Sequence, residues 1–284
     1  MEARLDQFYT KQKVVKQLLE YIDCGSYDLV VEPSAGDGAF VKNIHHDNLL
    51  AIDIAPAYDG IEEGDFLADV RKVVAAAFRC ESTNTPRVLV IGNPPFGKNS
   101  SLAVKFFNHA AQFSDCIAFI VPRTFRKPSV INRLHANFHL REEQILQPDA
   151  FYTPSGESYD VPTVFQIWDV METKRKKISV LKTHPDFGFV FHKEDPDKTR
   201  EKSDFCIRRV GALAGKVLDI DPKYAMPSHY FIKERYRGAR DIIESLDWSD
   251  PACPKYDTSG NPSISKNDLI RKYLVRKAKI TLPP

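Results

Sequence analysis

No run of apolar residues in this 284-residue chain approaches the roughly 18 that a membrane helix needs. The opening stretch, MEARLDQFYT, holds no apolar segment of signal-peptide type. The five cysteines (Cys24, Cys80, Cys116, Cys206, Cys253) are scattered, with no CxxC pair and no histidine at metal-ligand spacing. That pattern leaves no zinc or other metal site to propose and implies reduced thiols in a soluble, intracellular protein, in the cytoplasm or in a nucleoid or nucleus. The eight histidines show no pairing that a triad or a metal centre would use. There is no internal repeat and no low-complexity segment. Two phosphate-binding loop signatures, GxGxxG and GxxxxGK[ST], are missing as well.

A large excess of charge is also lacking: the net value is only +2. Its distribution is uneven, however. Residues 1–170 carry 16 Lys+Arg and 22 Asp+Glu, a net −6, and residues 171–284 carry 24 and 16, a net +8. A mildly acidic module joined to a basic one is expected, split as 1–172 and 173–284. The first part alternates as an α/β domain does. KQKVVKQLLEYI places Val14, Val15, Leu18, Leu19 and Ile22 on one helical face, and SLAVKFFNHAAQFS reads as a second helix. DLVVE, LLAIDI, RVLVIG, CIAFIVP and TVFQIWDV are near-continuous apolar strands, the mark of a parallel sheet covered on both faces. After about Val170 come short strand-like pieces (FGFVF, DFCIRRVG, HYFIKE), an exposed charged loop HKEDPDKTREKSD, and a basic amphipathic helix, SKNDLIRKYLVRKAK, with Ser265 and Asp268 as a capping box. This second part reads as a smaller basic α+β extension.

VVEPSAGDGAF places Gly36 and Gly38 where a strand hands over to a helix, in a tight turn that brings backbone N–H groups near a ligand. The acid at the strand end, Glu32, suits a positively charged group such as an amino-acid ammonium. Asp53 ends the next strand, where an acid binds ribose hydroxyls. Asp65 lies beside Phe66 in EGDFL; a carboxylate there accepts from the exocyclic amine of adenine and an aromatic flanks the ring. A strand-end acid alone is as readily a helix cap. Three in order after a Gly-x-Gly turn match ammonium, ribose and adenine, all of which S-adenosylmethionine carries.

The third strand runs into Asn93-Pro94-Pro95-Phe96. The N6 amine of adenine is a poor nucleophile because its lone pair is delocalised into the ring. Two acceptors on its hydrogens, the Asn93 carboxamide oxygen and the Pro94 carbonyl, favour the pyramidal form. Consecutive prolines hold both acceptors in one direction without an entropic cost during reaction. Phe96 can stack on a base that has left its duplex. Methyl transfer to nitrogen is an in-line displacement whose main requirement is positioning.

These residues resemble the S-adenosylmethionine-dependent adenine-N6 methyltransferases. DQFYT looks like the motif that precedes their cofactor loop, with Phe8, Tyr9 and Thr10 against the methionine end. EPSAGDGAF, with Glu32, Pro33, Ser34, Gly36 and Gly38, resembles the cofactor loop. AIDI, with Asp53 and Ile54, resembles the ribose segment, GDFL, with Asp65 and Phe66, the adenine segment, and NPPF the catalytic motif. The motif order is similar to the gamma arrangement of bacterial, phage and large-virus DNA adenine methyltransferases, and the match spans roughly the first 170 residues. The resemblance implies a Rossmann-like class I methyltransferase with a seven-stranded sheet, and a C-terminal extension that recognises the target. The extension is shorter than a typical recognition domain.

The expected activity is methyl transfer to the N6 amine of a flipped or unpaired adenine in DNA. The alternatives are the same chemistry on ribosomal, transfer or messenger-cap RNA, transfer to cytosine N4 or glutamine N5, and a non-catalytic methyltransferase-like subunit that binds nucleic acid. Intact cofactor and NPPF residues speak against the last, and Phe96 in place of a tyrosine argues against the glutamine enzymes. Candidate nucleic-acid contacts are Arg123, Arg126 and Lys127 around Phe125, then Arg175, Lys176 and Lys177, and Arg208 and Arg209. FYTPSGESYDVP is read as a surface connection or a mobile lid, with Phe151, Tyr152 and Tyr159 as partners for the base opposite Phe96.

Overall fold

The structure is a computed structural model that describes residues 8–68, 85–258 and 260–281. Asp6, Gln7 and Cys80 lie outside the described residues. The chain divides into two compact units, Met1–Phe125 with Ser129–Ile178, and Arg126–Pro128 with Ser179–Pro284.

The first unit begins with β1 (Tyr9–Thr10) and α1 (Gln12–Leu19), followed by β2 (Leu29–Glu32), β3 (Leu49–Asp53), β4 (Glu62–Glu63), β5 (Val88–Gly92), α2 (Ser101–Ala110) and β6 (Cys116–Pro122). Then come β7 (Phe138–Ile145), β8 (Phe151–Tyr152), β9 (Ser158–Tyr159) and β10 (Thr163–Val170). Seven strands form one sheet in the order β4-β3-β2-β5-β6-β10-β7. Side chains alternate along a strand, so each apolar run feeds two layers. In β5, Val88 and Val90 join one layer with Phe107, Phe138 and Trp168, and Leu89 and Ile91 join the other with Val15, Phe40 and Phe165. Both faces are therefore covered, as the continuous apolar strands predict.

The sheet is mixed rather than all parallel, because β10 runs antiparallel to both β6 and β7. The reason is local. β7 delivers the chain to the end of the sheet where β8 and β9 form a hairpin, and β8 pairs with β1. From there the chain has only the return direction open. This order, with one reversed strand next to last, is the class I methyltransferase fold. The segment 36–43 after the glycine turn holds successive turns and not the helix expected there. Its bonds mix three- and four-residue spacings, with Asn43 N–H on Phe40 and Lys42 N–H on Gly38.

The second unit contains β11 (Phe187–Val190), α3 (Pro196–Glu201), β12 (Phe205–Arg208), β13 (Val217–Leu218), β14 (His229–Glu234), α4 (Ala239–Glu244) and α5 (Lys266–Thr281). Its antiparallel sheet, β11-β14-β12-β13, packs Phe187, Phe205, Ile207 and Ile232 against Ile243, Leu269, Ile270 and Tyr273. The α5 capping box forms: Ser265 Oγ accepts from Asp268 N–H and Asp268 accepts from Ser265 N–H. The stretch from His192 to Asp204 is largely exposed, as its charge implies, but it is not all loop, since α3 lies within it. Asp195 caps α3 by accepting from Lys198 N–H, and Thr199 is completely buried, its hydroxyl accepting from His192 N–H. No helix among the described residues is long and apolar enough to cross a membrane.

Candidate active site at the carboxyl ends of the strands

Four neighbouring strands, β4, β3, β2 and β5, are parallel and end on the same edge of the sheet. Asp65 follows β4, Asp53 ends β3, Glu32 ends β2 and Asn93 follows β5. Strand spacing is about 4.8 Å, so the series Asp65, Asp53, Glu32, Asn93 spans about 14 Å in that order. The chain turns back between β2 and β5, the switch point where open α/β sheets bind ligands. A cavity of about 430 Å³ lies here. Its wall includes Phe8, Tyr9, Thr10, Glu32, Pro33, Ser34, Gly36, Asp53, Ile54, Asp65, Phe66, Asn93 and Pro95. Gly38 is not in that wall. Asp37, Leu67, Leu102 and Phe106 are, and the sequence reading did not name them. Leu102 and Phe106 stand four apart on α2, which starts just after NPPF, and that spacing is the signal that could have found them.

Each polar group in the wall has a defined environment. The Asp53 carboxylate accepts from the backbone N–H of Gly36 and of Ala55, both at 2.8 Å. Each of its oxygens keeps lone-pair capacity for a further donor. Asp65 accepts from Leu67 N–H at 2.9 Å. Glu32 is 2 % exposed, and its Oε2 is buried with no hydrogen-bond partner. Burial pushes its carboxyl well above the usual glutamate range; a backbone hydrogen bond from Val41 opposes this, and the charges of Asp37 and Asp53 add to it. Gly36 and Gly38 have φ of +53° and +77°. A Cβ there would lie 3.0 Å from the Tyr9 ring and 2.6 Å from the Tyr58 ring. The glycines thus serve the turn and the seating of two tyrosines. Phe66 is 1 % exposed and packs on Phe106, His109 and Phe113, so little of it reaches the cavity.

Asn93 is held at both ends. Ser34 Oγ donates to its backbone carbonyl at 3.1 Å. Its Nδ2 donates to the Phe8 carbonyl and to Thr10 Oγ1, each at 3.3 Å. Its Oδ1 is buried and accepts no hydrogen bond. A second cavity of about 20 Å³ adjoins the first, lined by Phe8, Asn93, Pro94, Pro95, Phe96, Phe151 and Val161. Phe8, Asn93 and Pro95 are the wall the two cavities share.

The stretch FYTPSGESYDVP forms the hairpin β8–β9 and, with β1, a three-stranded sheet. Tyr9 faces Tyr152 and Thr10 faces Phe151 across it. Phe151 is 1 % exposed. Tyr152 donates its hydroxyl to Asp37, and burial with that acid raises its pKa to about 12. Tyr159 stacks on Phe8, with centroids 3.9 Å apart and planes 7° from parallel.

The candidate nucleic-acid residues divide between the two units. Arg123 and Lys127 are half-buried, and Arg126 donates to Asp257 at 2.7 Å. Arg175 is committed to structure: it donates to the carbonyls of Phe138, Ile131, Leu134 and His135 and lies over the Trp168 ring. Lys176 is exposed. In the second unit Arg208 Nε donates to the Val210 carbonyl at 2.9 Å, and Arg209 lies over the Tyr230 ring. Among the described residues there is no group of His, Cys, Asp and Glu that could hold a metal ion.

No protein-family model matches the chain, and no curated protein matches it. Among solved structures, it is similar to a protein of Pyrococcus horikoshii assigned as an RNA methyltransferase, with 16% identity, 59% of this chain and 88% of that one covered, and a TM-score of 0.42. It is similar to a modification subunit assigned to a type I restriction enzyme of Vibrio vulnificus, with 17% identity, 58% and 44% coverage and a TM-score of 0.40. It is also similar to TrmN of Thermus thermophilus, with 16% identity, 56% and 49% coverage and a TM-score of 0.36. The chain spans less than half the length of the last two.

Proposed function

We propose that this chain transfers a methyl group from S-adenosylmethionine to the N6 amine of adenine in a nucleic acid, with DNA as the first candidate. The observation that carries the reading is Asn93. Its Oδ1 is a buried acceptor without a donor, next to the cavity shared with Phe96, while its Nδ2 is fully used by Phe8 and Thr10. A buried acceptor left unpaired costs about 1–3 kcal/mol, and an amine delivered to the second cavity would remove that cost.

The first cavity fits the cofactor. Its volume falls in the range of small-molecule sites. Glu32 Oε2, buried and unpaired, suits a cationic group. Asp53, with lone pairs to spare, suits vicinal hydroxyls. Asp65 between the apolar surfaces of Ile54, Leu102 and Phe106 suits a purine with an exocyclic amine. When bound, S-adenosylmethionine supplies a methyl group activated by a sulfonium. The chain's own residues do the rest. Asn93 Oδ1 accepts from the target amine and so localises the nitrogen lone pair. Pro94 and Pro95 keep the backbone from yielding, and Phe96 offers its face to the base. The second cavity, about 20 Å³, has room for a water and not for a purine, so a base enters only as the rings around it part.

The test is methyl transfer from labelled cofactor to matched DNA and RNA oligonucleotides, with nucleoside mass spectrometry of the product. N6-methyladenine is expected in the DNA pool; its appearance in RNA alone moves the substrate to RNA. Asn93→Ala should lower transfer at least about 100-fold, the scale of losing one positioned acceptor, with cofactor affinity kept within about twofold. Cofactor binding without N6-methyladenine in either pool would sink the reading.

A further inference from the structure

Asn93 acts only if its oxygen, and not its nitrogen, faces the target amine. The two ends of a carboxamide have nearly the same shape, so packing alone does not choose between them. The choice is made by hydrogen bonding, and its source is β1 with Phe8, the residue before it. The Phe8 carbonyl is an acceptor only, and it lies 3.3 Å from Asn93 Nδ2. Thr10 Oγ1 lies at the same distance from the same nitrogen and takes the second amide hydrogen. Thr10 is 3 % exposed, so its hydroxyl is largely screened from water. Rotating the amide by 180° would set Oδ1 against the Phe8 carbonyl and leave a buried N–H pair where the amine must come.

The resemblance places Thr10 against the cofactor. We infer a further role, resting on the proposed activity: Thr10 is a positioning residue that, together with the Phe8 carbonyl, holds the Asn93 amide with its oxygen toward the substrate. The lock is itself held rigid. Thr10 pairs with Phe151 across the β1–β8 ladder, and Lys11 N–H donates to the Ala150 carbonyl at 3.0 Å. Ser34 Oγ donates to the Asn93 carbonyl and so holds its backbone. Donation of both amide hydrogens also polarises the group, adding negative charge to the oxygen that accepts from the amine.

Thr10→Val keeps the shape and removes the acceptor; Thr10→Ser keeps the acceptor; Thr10→Ala replaces the valine if that variant does not fold, which thermal melting decides. In the full chain, single-turnover transfer at saturating cofactor should fall about tenfold in Thr10→Val, or 1.4 kcal/mol. The cofactor dissociation constant by calorimetry should change by less than the rate does, and Thr10→Ser should recover the rate to within about threefold. A readout independent of activity is the Asn93 side-chain amide signal in protein labelled with ¹⁵N-asparagine, identified by its loss in Asn93→Asp. Both hydrogens of that amide should shift or broaden in Thr10→Val and return in Thr10→Ser. An unchanged amide signal and rate in Thr10→Val overturns the proposal. So does weaker cofactor binding in Thr10→Val with the saturated rate intact, which makes Thr10 a cofactor contact. If the wild-type chain transfers no methyl group, the amide signal still decides whether Thr10 holds Asn93, and only the reading of the reaction falls.

Discussion

The carboxyl of Glu32 is almost wholly buried at the end of β2, with one oxygen unpaired and Asp37 and Asp53 nearby. Burial disfavours the charged form, so in the free protein the group holds its proton above the usual glutamate value of about 4.3. The folded chain therefore binds more protons than the unfolded chain between that value and the raised folded pKa. Stability falls as pH rises through this window and is level beyond it. Glu32→Gln cannot ionise. It should flatten that decline and raise the melting temperature at neutral pH, by about 2–4 °C for each kcal/mol recovered. The same variant should weaken S-adenosylmethionine, since a neutral amide offers less to a cationic group. Melting curves from pH 4 to 8 on the free protein, with calorimetry of cofactor binding, check both. A melting temperature with the same pH dependence as wild type would remove Glu32 from this role. Glu32 and Asp53 were legible because each ends an apolar run, and Asp65 because an aromatic follows it. The bond from Asn93 to Thr10 crosses 83 residues of sequence, and no local pattern announces it.

At the level of elements, β6, β10 and β14 lie where CIAFIVP, TVFQIWDV and HYFIKE predict. Each is an apolar or alternating run, and proline and turn residues punctuate them. The hairpin β8–β9 was not legible, because its partner β1 is two residues long and remote in sequence. What fastens β1 to it is Asp149, at φ +69° between β7 and β8. Its carboxylate accepts from Lys11 and Ser158, with Lys13 at 3.7 Å. Those bonds, the Lys11 one foremost, hold its pKa down at about 2, so the clamp is present from neutral to acid pH and is lost only as pH falls through that value. Asp149→Gly keeps the left-handed backbone and deletes the carboxylate. Hydrogen exchange at the Lys11 amide, which bonds to Ala150, should quicken about tenfold through local opening. An unchanged rate would mean that backbone pairing alone holds β1. Loosened β1 should also carry Thr10 away from Asn93, lowering transfer more than cofactor affinity.

Across the whole molecule, the charge split places net −6 on residues 1–170, which hold the cavity, and net +8 on residues 171–284. Composition made that asymmetry legible; which cations are available to a polyanion was not, because hydrogen-bond partners are not written in charge runs. Arg175 reads as part of a basic run, yet its guanidinium is spent on backbone carbonyls within the first unit. Arg209 differs: its positive charge adds to the depression of the Lys266 ammonium, which burial lowers first. Two cations that repel each other favour an anion beside them. Each phosphate neutralised contributes about −0.9 to the slope of log affinity against log salt for duplex DNA. Converting Arg208 and Arg209 together to glutamine should make that slope shallower by about 1–2 and weaken binding without regard to base sequence. Arg175→Gln should lower the melting temperature and leave the slope as it is. Titrations of a labelled duplex between 50 and 200 mM salt (a range of about the Debye regime where such contacts dominate) separate the two. Equal slopes for the wild type and the double variant would take Arg208 and Arg209 out of the interface and leave the basic charge of the second unit to another partner.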